Sequence, residues 1–227
     1  MSGITYDYME NYLRGLIGES KGMTKELEDF AHENGVPIVQ KETGKFLEFM
    51  VGMKKPLKIL ELGTAIGYSS ILMYEASKTE PEIKTIERSE EMISLAKKNI
   101  ERFNLSHKIQ ILEGDCLDIL SELDEEFDLI FMDAGKGHYN HFLPHCLRLL
   151  KEDGIIIADN VLFRGMVPSQ ELVKRRKITI VKRMRTYLEV VNEDESLVTS
   201  VIPMGDGIAI TRRRKSYEKN RIISASR

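Results

Sequence analysis

Five short apolar runs punctuate the middle of this chain, at residues 58–62, 83–87, 108–113, 127–132 and 154–158. Each is too short for a stable helix and ends within two residues of a Gly, Asp or Ser, the pattern of a buried strand running into a turn. Between them, residues 68–77, 89–103, 116–122 and 138–150 repeat apolar side chains at three- and four-residue spacing, the stripe of an amphipathic helix. Alternation of strand and helix predicts a mostly parallel sheet with helices on both faces, joined by right-handed crossovers. Ahead of this α/β core, residues 5–33 and 41–53 read as an N-terminal helical extension, with Gly35-Val36-Pro37-Ile38-Val39 between the two. Behind it, a basic stretch at 169–192 reads as helical. "LVTSVIPMGDGIAITRR" then reads as two strands around Pro203-Met204-Gly205-Asp206-Gly207, an antiparallel hairpin at one sheet edge. The expected organisation is one domain over 1–227: helices to residue 53, a core over 54–215, and a polar, frayed tail over 216–227.

Composition narrows the class. At 227 residues the chain can bury a sizeable core without staples. Cys116 and Cys146 lack CxxC spacing and read as buried or idle thiols of a reducing compartment. The start, Met1 to Asp7, has neither the basic residues nor the apolar stretch of a secretory signal, and no run approaches membrane-spanning length, so the expectation is a cytoplasmic protein with no membrane partner. The net charge of −3 conceals an asymmetry: residues 161–227 hold 15 Lys and Arg against 7 Asp and Glu, so the acidic surplus lies wholly before residue 161. Such a basic segment suits a polyanion, although a charge run is commonly only a solvated face.

Chemistry gathers where the strands end, the edge at which α/β sheets take their ligands. After the first strand, "LELGTAIGYSS" supplies Gly63 and Gly67, which allow a tight turn and close approach to a ligand at a helix N-terminus. The glycines stand four apart, which is not the dinucleotide G-x-G-x-x-G, and no P-loop Gly-Lys-Ser/Thr follows. Glu87 closes the second strand, where an acid can accept hydrogen bonds from ribose hydroxyls. Asp115 follows the third, in reach of an adenine amino group. Either acid could instead cap the next helix. The fourth and fifth strands end on Asp133 and on Asp159-Asn160, two carboxylates and an amide oxygen of the kind a hard divalent cation prefers. Lys136, three residues beyond Asp133, could accept or stabilise the proton of a substrate hydroxyl. His138, His141 and His145 recur on one helix at a spacing that could suggest zinc ligands, but they read better as helix surface. Tyr68, Tyr139 and Phe163 flank the region and read as packing.

On "LELGTAIGYSS", "IERSEEMISLAKKNI" and "EGDCLDIL", the chain resembles the class I S-adenosylmethionine-dependent methyltransferases. That resemblance implies a Rossmann-like seven-stranded sheet with an antiparallel last strand. On "MDAGKGHYNHF" and "ADNVLFRG" it resembles the cation-dependent O-methyltransferases that include the catechol and caffeoyl-CoA enzymes. From these it implies cofactor contacts at Val39, Glu61, Gly63, Gly67, Ser69, Glu87, Asp115, Cys116 and Asp133, a Mg²⁺ or other divalent cation on Asp133, Asp159 and Asn160, and a catalytic Lys136. Within that group, "GVPIV", "DNVLFRGMV", "KRRKITIVKRMR" and "IPMGDGIAITRRR" are most similar to the bacterial tRNA 5-hydroxyuridine methyltransferases. Val39 stands where those often have methionine, and Gly135 where alanine is frequent. The implied reaction methylates the 5-hydroxyl of 5-hydroxyuridine at the wobble position of tRNA, with Arg164, Arg175 and Arg176 around the anticodon loop, in a homodimer. A small catechol-like or caffeoyl-CoA-like diol is the alternative substrate, and a non-catalytic RNA- or cofactor-binding module the alternative of another class.

Overall fold

A computed structural model of the chain describes residues 4–214, so the tail expected over 216–227 lies outside the described residues. Three helices come first, α1 (Asp7–Ile17), α2 (Gly22–Asn34) and α3 (Lys41–Lys54). The core then runs β1 (Lys58–Leu62), α4 (Tyr68–Ala76), β2 (Glu82–Glu87), α5 (Glu90–Arg102), β3 (Ile109–Glu113), α6 (Cys116–Glu122), β4 (Phe127–Met132), α7 (Tyr139–Leu149) and β5 (Leu150–Ala158). A 3-10 turn at Arg175–Lys177 leads into α8 (Ile178–Glu193), and the hairpin β6 (Leu197–Ile202) and β7 (Ile208–Arg213) closes the fold.

The seven strands lie in the order β3-β2-β1-β4-β5-β7-β6. β1 to β5 pair in parallel, β7 runs antiparallel to β5, and β6 pairs antiparallel with β7, so six strands share one direction and β7 opposes them. Local chemistry explains the elements. β4 is buried along its whole length because helices cover both faces, which is why it reads as an unbroken apolar run. α5 opens on Ser89, whose side chain accepts from the Met92 amide, carries Glu90 and Glu91 in its first turn, and buries Ile93, Ala96 and Ile100 at helical spacing. Cys116 and Cys146 are both free and buried. Among the described residues no helix is long and apolar enough to cross a membrane.

Two sequence expectations are corrected. Residues 5–33 form two helices rather than one, because the chain breaks at Gly18, whose φ of 76° no continuing helix can adopt. The basic stretch 169–192 is α-helical only from Ile178, and the residues before it turn instead. The segment just ahead of them is held by α8: Arg185 donates Nε–H to the Val167 carbonyl (2.8 Å) and Nη2–H to the Met166 carbonyl (3.3 Å).

Candidate active site

Strand register builds the site. Leu62 pairs with both Ile86 and Met132, and Met132 pairs with Ala158. Gly63, Asp133 and Asp159 therefore leave the sheet side by side, on strands spaced by about 4.8 Å. The ladder continues one step further, with Gly63 N–H on the Ile86 carbonyl (3.0 Å), Asp133 N–H on Leu62 (2.9 Å) and Asp159 N–H on Met132 (3.0 Å). The backbones of these residues are thus fixed before any ligand arrives.

On one side of this edge lies a cavity of about 330 Å³, walled by Gly63, Glu87, Asp115, Cys116, His138 and Phe142 among others. Larger cavities of about 420 and 510 Å³ lie among the N-terminal helices, but they hold none of the strand-end groups. Gly63 has φ 103°, and a Cβ there would stand 3.1 Å from the Ala134 Cβ and 3.2 Å from its amide nitrogen. Only glycine lets the two strand-end loops approach so closely. Glu87 accepts from the amides of Ala65 (3.0 Å), Arg88 (2.9 Å) and Ser89 (2.9 Å), so its carboxylate stays on the cavity wall. Asp115 both caps α6, accepting from Leu117 N–H at 2.9 Å, and lines the cavity; the two sequence readings are compatible. Burial, reinforced by the Asp115 and Glu87 carboxylates, pushes the Cys116 thiol up to about 12, which makes it a wall and not a nucleophile.

Five residues linked to the cofactor by resemblance, Val39, Glu61, Gly67, Ser69 and Asp133, do not line this cavity. Glu61 is fully buried beneath the glycine loop and accepts hydrogen bonds from Ser69, Ser70 and the Thr85 hydroxyl (2.6 Å). It therefore braces the strand against α4, and burial holds its carboxyl above the usual range. Ser69 is spent on that brace. Val39 is buried beside Tyr68 at the mouth of the cavity among the N-terminal helices. Gly67, φ 84°, forms the N-cap of α4.

On the other side of the edge, Asp159 is 2 % exposed and Asn160 8 %. Asp159 accepts from the Asn160 amide (2.7 Å) through Oδ1. Burial pushes the carboxyls of Asp133 and Asp159 upward; Asp133 adds to the rise at Asp159, while Lys136 opposes it at both. Among the described residues no three His, Cys, Asp or Glu side chains are grouped to hold an ion. The donor set is two carboxylates completed by the Asn160 amide, an all-oxygen set suited to a hard cation. The rise has a consequence for stability. A carboxyl whose folded pKa exceeds its unfolded value contributes stability at low pH that is lost as pH rises through the folded value. Above about pH 5, where the paired surface carboxylates are already ionised, the metal-free protein should melt at falling temperature as pH increases. Calorimetry between about pH 5.5 and 8.5 checks this, and a flat or rising profile contradicts it.

Tyr139, fully buried, places its hydroxyl between the carbonyls of Met132 (2.9 Å) and Asp159 (3.0 Å), tying the ends of β4 and β5 together. The loop after Asn160 is tied from a third direction by the β6–β7 turn. Val161 N–H donates to the Gly207 carbonyl (2.9 Å), Leu162 and Phe163 N–H to the Asp206 carbonyl (2.9 and 3.2 Å), and Arg164 N–H to the Asp206 carboxylate (3.1 Å). Beyond the loop, the Lys177 ammonium lies 5.9 Å from the centre of the Phe163 ring, which brings the Arg175–Lys177 turn alongside. Arg164, Arg175 and Arg176 are exposed.

A sequence model described as O-methyltransferase matches residues 18–214. The chain belongs to the O-methyltransferase family. It is 34 % identical over 173 residues to a catechol O-methyltransferase of Niastella koreensis, covering 74 % of this chain and 78 % of that one. It is 29 % identical over 203 residues to caffeoyl-CoA O-methyltransferase 1 of Zea mays, covering 84 % and 78 %. Among solved structures, a Staphylococcus aureus protein provisionally assigned as a caffeoyl-CoA O-methyltransferase superposes with a TM-score of 0.84 at 33 % identity, over 92 % of this chain and all of that one. An O-methyltransferase of Bacillus cereus in complex with S-adenosylhomocysteine gives 0.79 at 26 % identity, over 91 % and 97 %. The protein is an S-adenosylmethionine-dependent O-methyltransferase.

In this O-methyltransferase the residues sequence reasoning passed over are those acting through the backbone. Tyr139 was read as packing, yet it clamps two strand ends. Asp206 lies far along the chain from Asn160, with no local motif linking them. The available signal was indirect: an antiparallel partner for β5, in the register that pairs Ala158 with Ala209, necessarily carries Asp206 and Gly207 up beside Asn160. His138 stacks on Phe142 (6.2 Å between ring centres) and helps wall the cavity.

Proposed function

We propose that this enzyme methylates the 5-hydroxyl of 5-hydroxyuridine in tRNA to give 5-methoxyuridine, with S-adenosylmethionine in the 330 Å³ cavity and Mg²⁺ or another divalent cation on Asp133, Asp159 and Asn160. S-adenosylmethionine supplies the methyl group: its S–CH₃ bond breaks as the O–CH₃ bond forms, and S-adenosylhomocysteine leaves. A bound cation lowers the pKa of a hydroxyl that it touches. The protein's part is placement. Glu87 and Asp115 offer acceptors to ribose and adenine. Asp133, Asp159 and Asn160 would hold the ion at the strand edge, where it would supply positive charge to a substrate hydroxyl. Lys136, in its amine form, takes the hydroxyl proton at Nζ.

The observation that carries the substrate is the exposed basic group Arg164, Arg175 and Arg176, brought beside the Asn160 loop by the Lys177–Phe163 contact. A small diol needs no such surface, whereas an anticodon loop presents phosphates around an unstacked base. Arg185 is not part of this surface, because its guanidinium is engaged by the carbonyls of Val167 and Met166, whereas Arg183 is exposed and gives one N–H to the Gly137 carbonyl. tRNA affinity should then fall with salt at roughly −0.7 in log–log slope per phosphate contact, and Arg175→Ala with Arg176→Ala should flatten the slope. A slope unchanged by the double substitution removes this support. The named substrates of the relatives from Niastella koreensis and Zea mays favour a second reading, a small diol, since 5-hydroxyuracil shares with catechol a pair of neighbouring oxygens.

Glu87→Ala should weaken S-adenosylmethionine binding by about 1–3 kcal/mol, because ribose hydroxyls lose an acceptor and the Ala65, Arg88 and Ser89 amides lose theirs. Titration calorimetry measures it directly. Parent-like affinity would place the ribose elsewhere.

A further inference from the structure

The loop that carries Asn160 has an unusual backbone. Asn160 (φ 60°), Phe163 (φ 42°) and Arg164 (φ 56°) all lie in the left-handed region, and Gly165 (φ 74°) follows. Side chains other than glycine resist this conformation, so three within five residues need something outside the loop to impose it. The only internal bond among its four amides from Val161 to Arg164 is the weak one from Phe163 to the Asn160 carbonyl (3.2 Å). The β6–β7 turn supplies the rest: two carbonyls, Asp206 and Gly207, take three amides, and the Asp206 carboxylate takes the fourth. The two segments also fit sterically. A Cβ on Gly207 would stand 2.7 Å from the Leu162 Cβ and 2.8 Å from its nitrogen, so the turn can lie against the loop only with glycine there. Asp206 is 6 % exposed, and no Lys, Arg or His ion pair is formed with it among the described residues. The buried Asp206 side chain thus reaches the loop directly, through the Arg164 amide.

We infer that Asp206 is a positioning residue for methyl transfer: through the Arg164 amide and the paired carbonyls it holds the 160–164 loop in the strained form that sets the Asn160 side chain for the cation site. This rests on the reading of Asp159 and Asn160 as cation ligands. The cofactor cavity lies on the other side of the strand edge and shares no residue with this clamp, so cofactor binding and cation binding separate when the clamp is lost.

The experiment compares the parent enzyme with Asp206→Ala and Asp206→Asn, each loaded with S-adenosylhomocysteine. Mn²⁺ affinity is read by electron paramagnetic resonance and cofactor affinity by calorimetry. Asn keeps an oxygen for the Arg164 amide; Ala does not. Expected is a loss of about tenfold or more in Mn²⁺ affinity for Ala, near-parent affinity for Asn, and unchanged cofactor affinity in both. Equal Mn²⁺ binding by parent and Ala overturns the positioning role alone. An Asn variant as weak as Ala also overturns it, because the charge and not the amide contact would then matter. A parent that binds no Mn²⁺ refutes the cation reading instead. Should the Ala variant fail to fold, amide hydrogen exchange on the parent decides: residues 161–164 as protected as β7 support the clamp, and exchange as fast as an open loop overturns it.

Discussion

Asp159→Ala should abolish turnover, by at least about 10³-fold, while leaving S-adenosylmethionine affinity within a few-fold of the parent. The size follows from what this one carboxylate does. It is buried, it is one of only two negative donors at the edge, and its Oδ1 also receives the Asn160 amide, so its removal takes one ligand and loosens another. The selectivity follows from the backbone. Asp159 N–H and carbonyl are engaged by Met132 and Tyr139, contacts a substitution at the side chain leaves in place. The sign of the stability change sets this account apart from simple damage. Burial, and after it the charge of Asp133, disfavours the ionised form of Asp159 in the metal-free protein, so Asp159→Asn should raise the melting temperature at pH 8 even as activity disappears. An inactive variant that melts well below the parent at that pH would mean the carboxylate is structural.

Lys136→Met should lower kcat by about 10²–10⁴-fold, the range for loss of a group that handles the proton in the transition state. Lys136 stands in the loop between β4 and α7, close enough to both carboxylates that its charge acts on each. Methionine keeps most of the apolar stem and removes the nitrogen, so the fold and the cofactor cavity should persist. The loss should therefore fall on kcat, with the cofactor KM almost unchanged. An unchanged kcat under saturating substrate would return Lys136 to the surface. Arg in its place tests the alternative that a positive charge alone suffices: a guanidinium cannot accept a proton, so Lys136→Arg should be nearly as slow as the methionine variant.

Much of this architecture was legible because its signals are local. The apolar runs of β1 and β4 mark buried strands, and the first polar residue after each marks the edge where ligands bind, which is how Gly63, Asp133 and Asp159 come forward together. What was illegible depends on partners distant in sequence. That Ser69, Ser70 and Thr85 hydrogen-bond Glu61 beneath the loop depends on how β1, β2 and α4 pack. Arg185 looks like its exposed neighbours in "KRRKITIVKRMR", and only the course of the 166–167 backbone shows that its guanidinium is taken up by carbonyls. The single helix expected over 5–33 failed for a simpler reason: a continuous amphipathic pattern does not report that Gly18 has turned out of helical conformation.

The central claim is the substrate. Purified enzyme should be offered tRNA containing 5-hydroxyuridine and a panel of catechols at equal concentrations, with S-adenosylmethionine and Mg²⁺, and the digested nucleosides and free diols followed by mass spectrometry. 5-Methoxyuridine should form in the tRNA with little methylation of any catechol. Efficient catechol methylation with the tRNA untouched would contradict it.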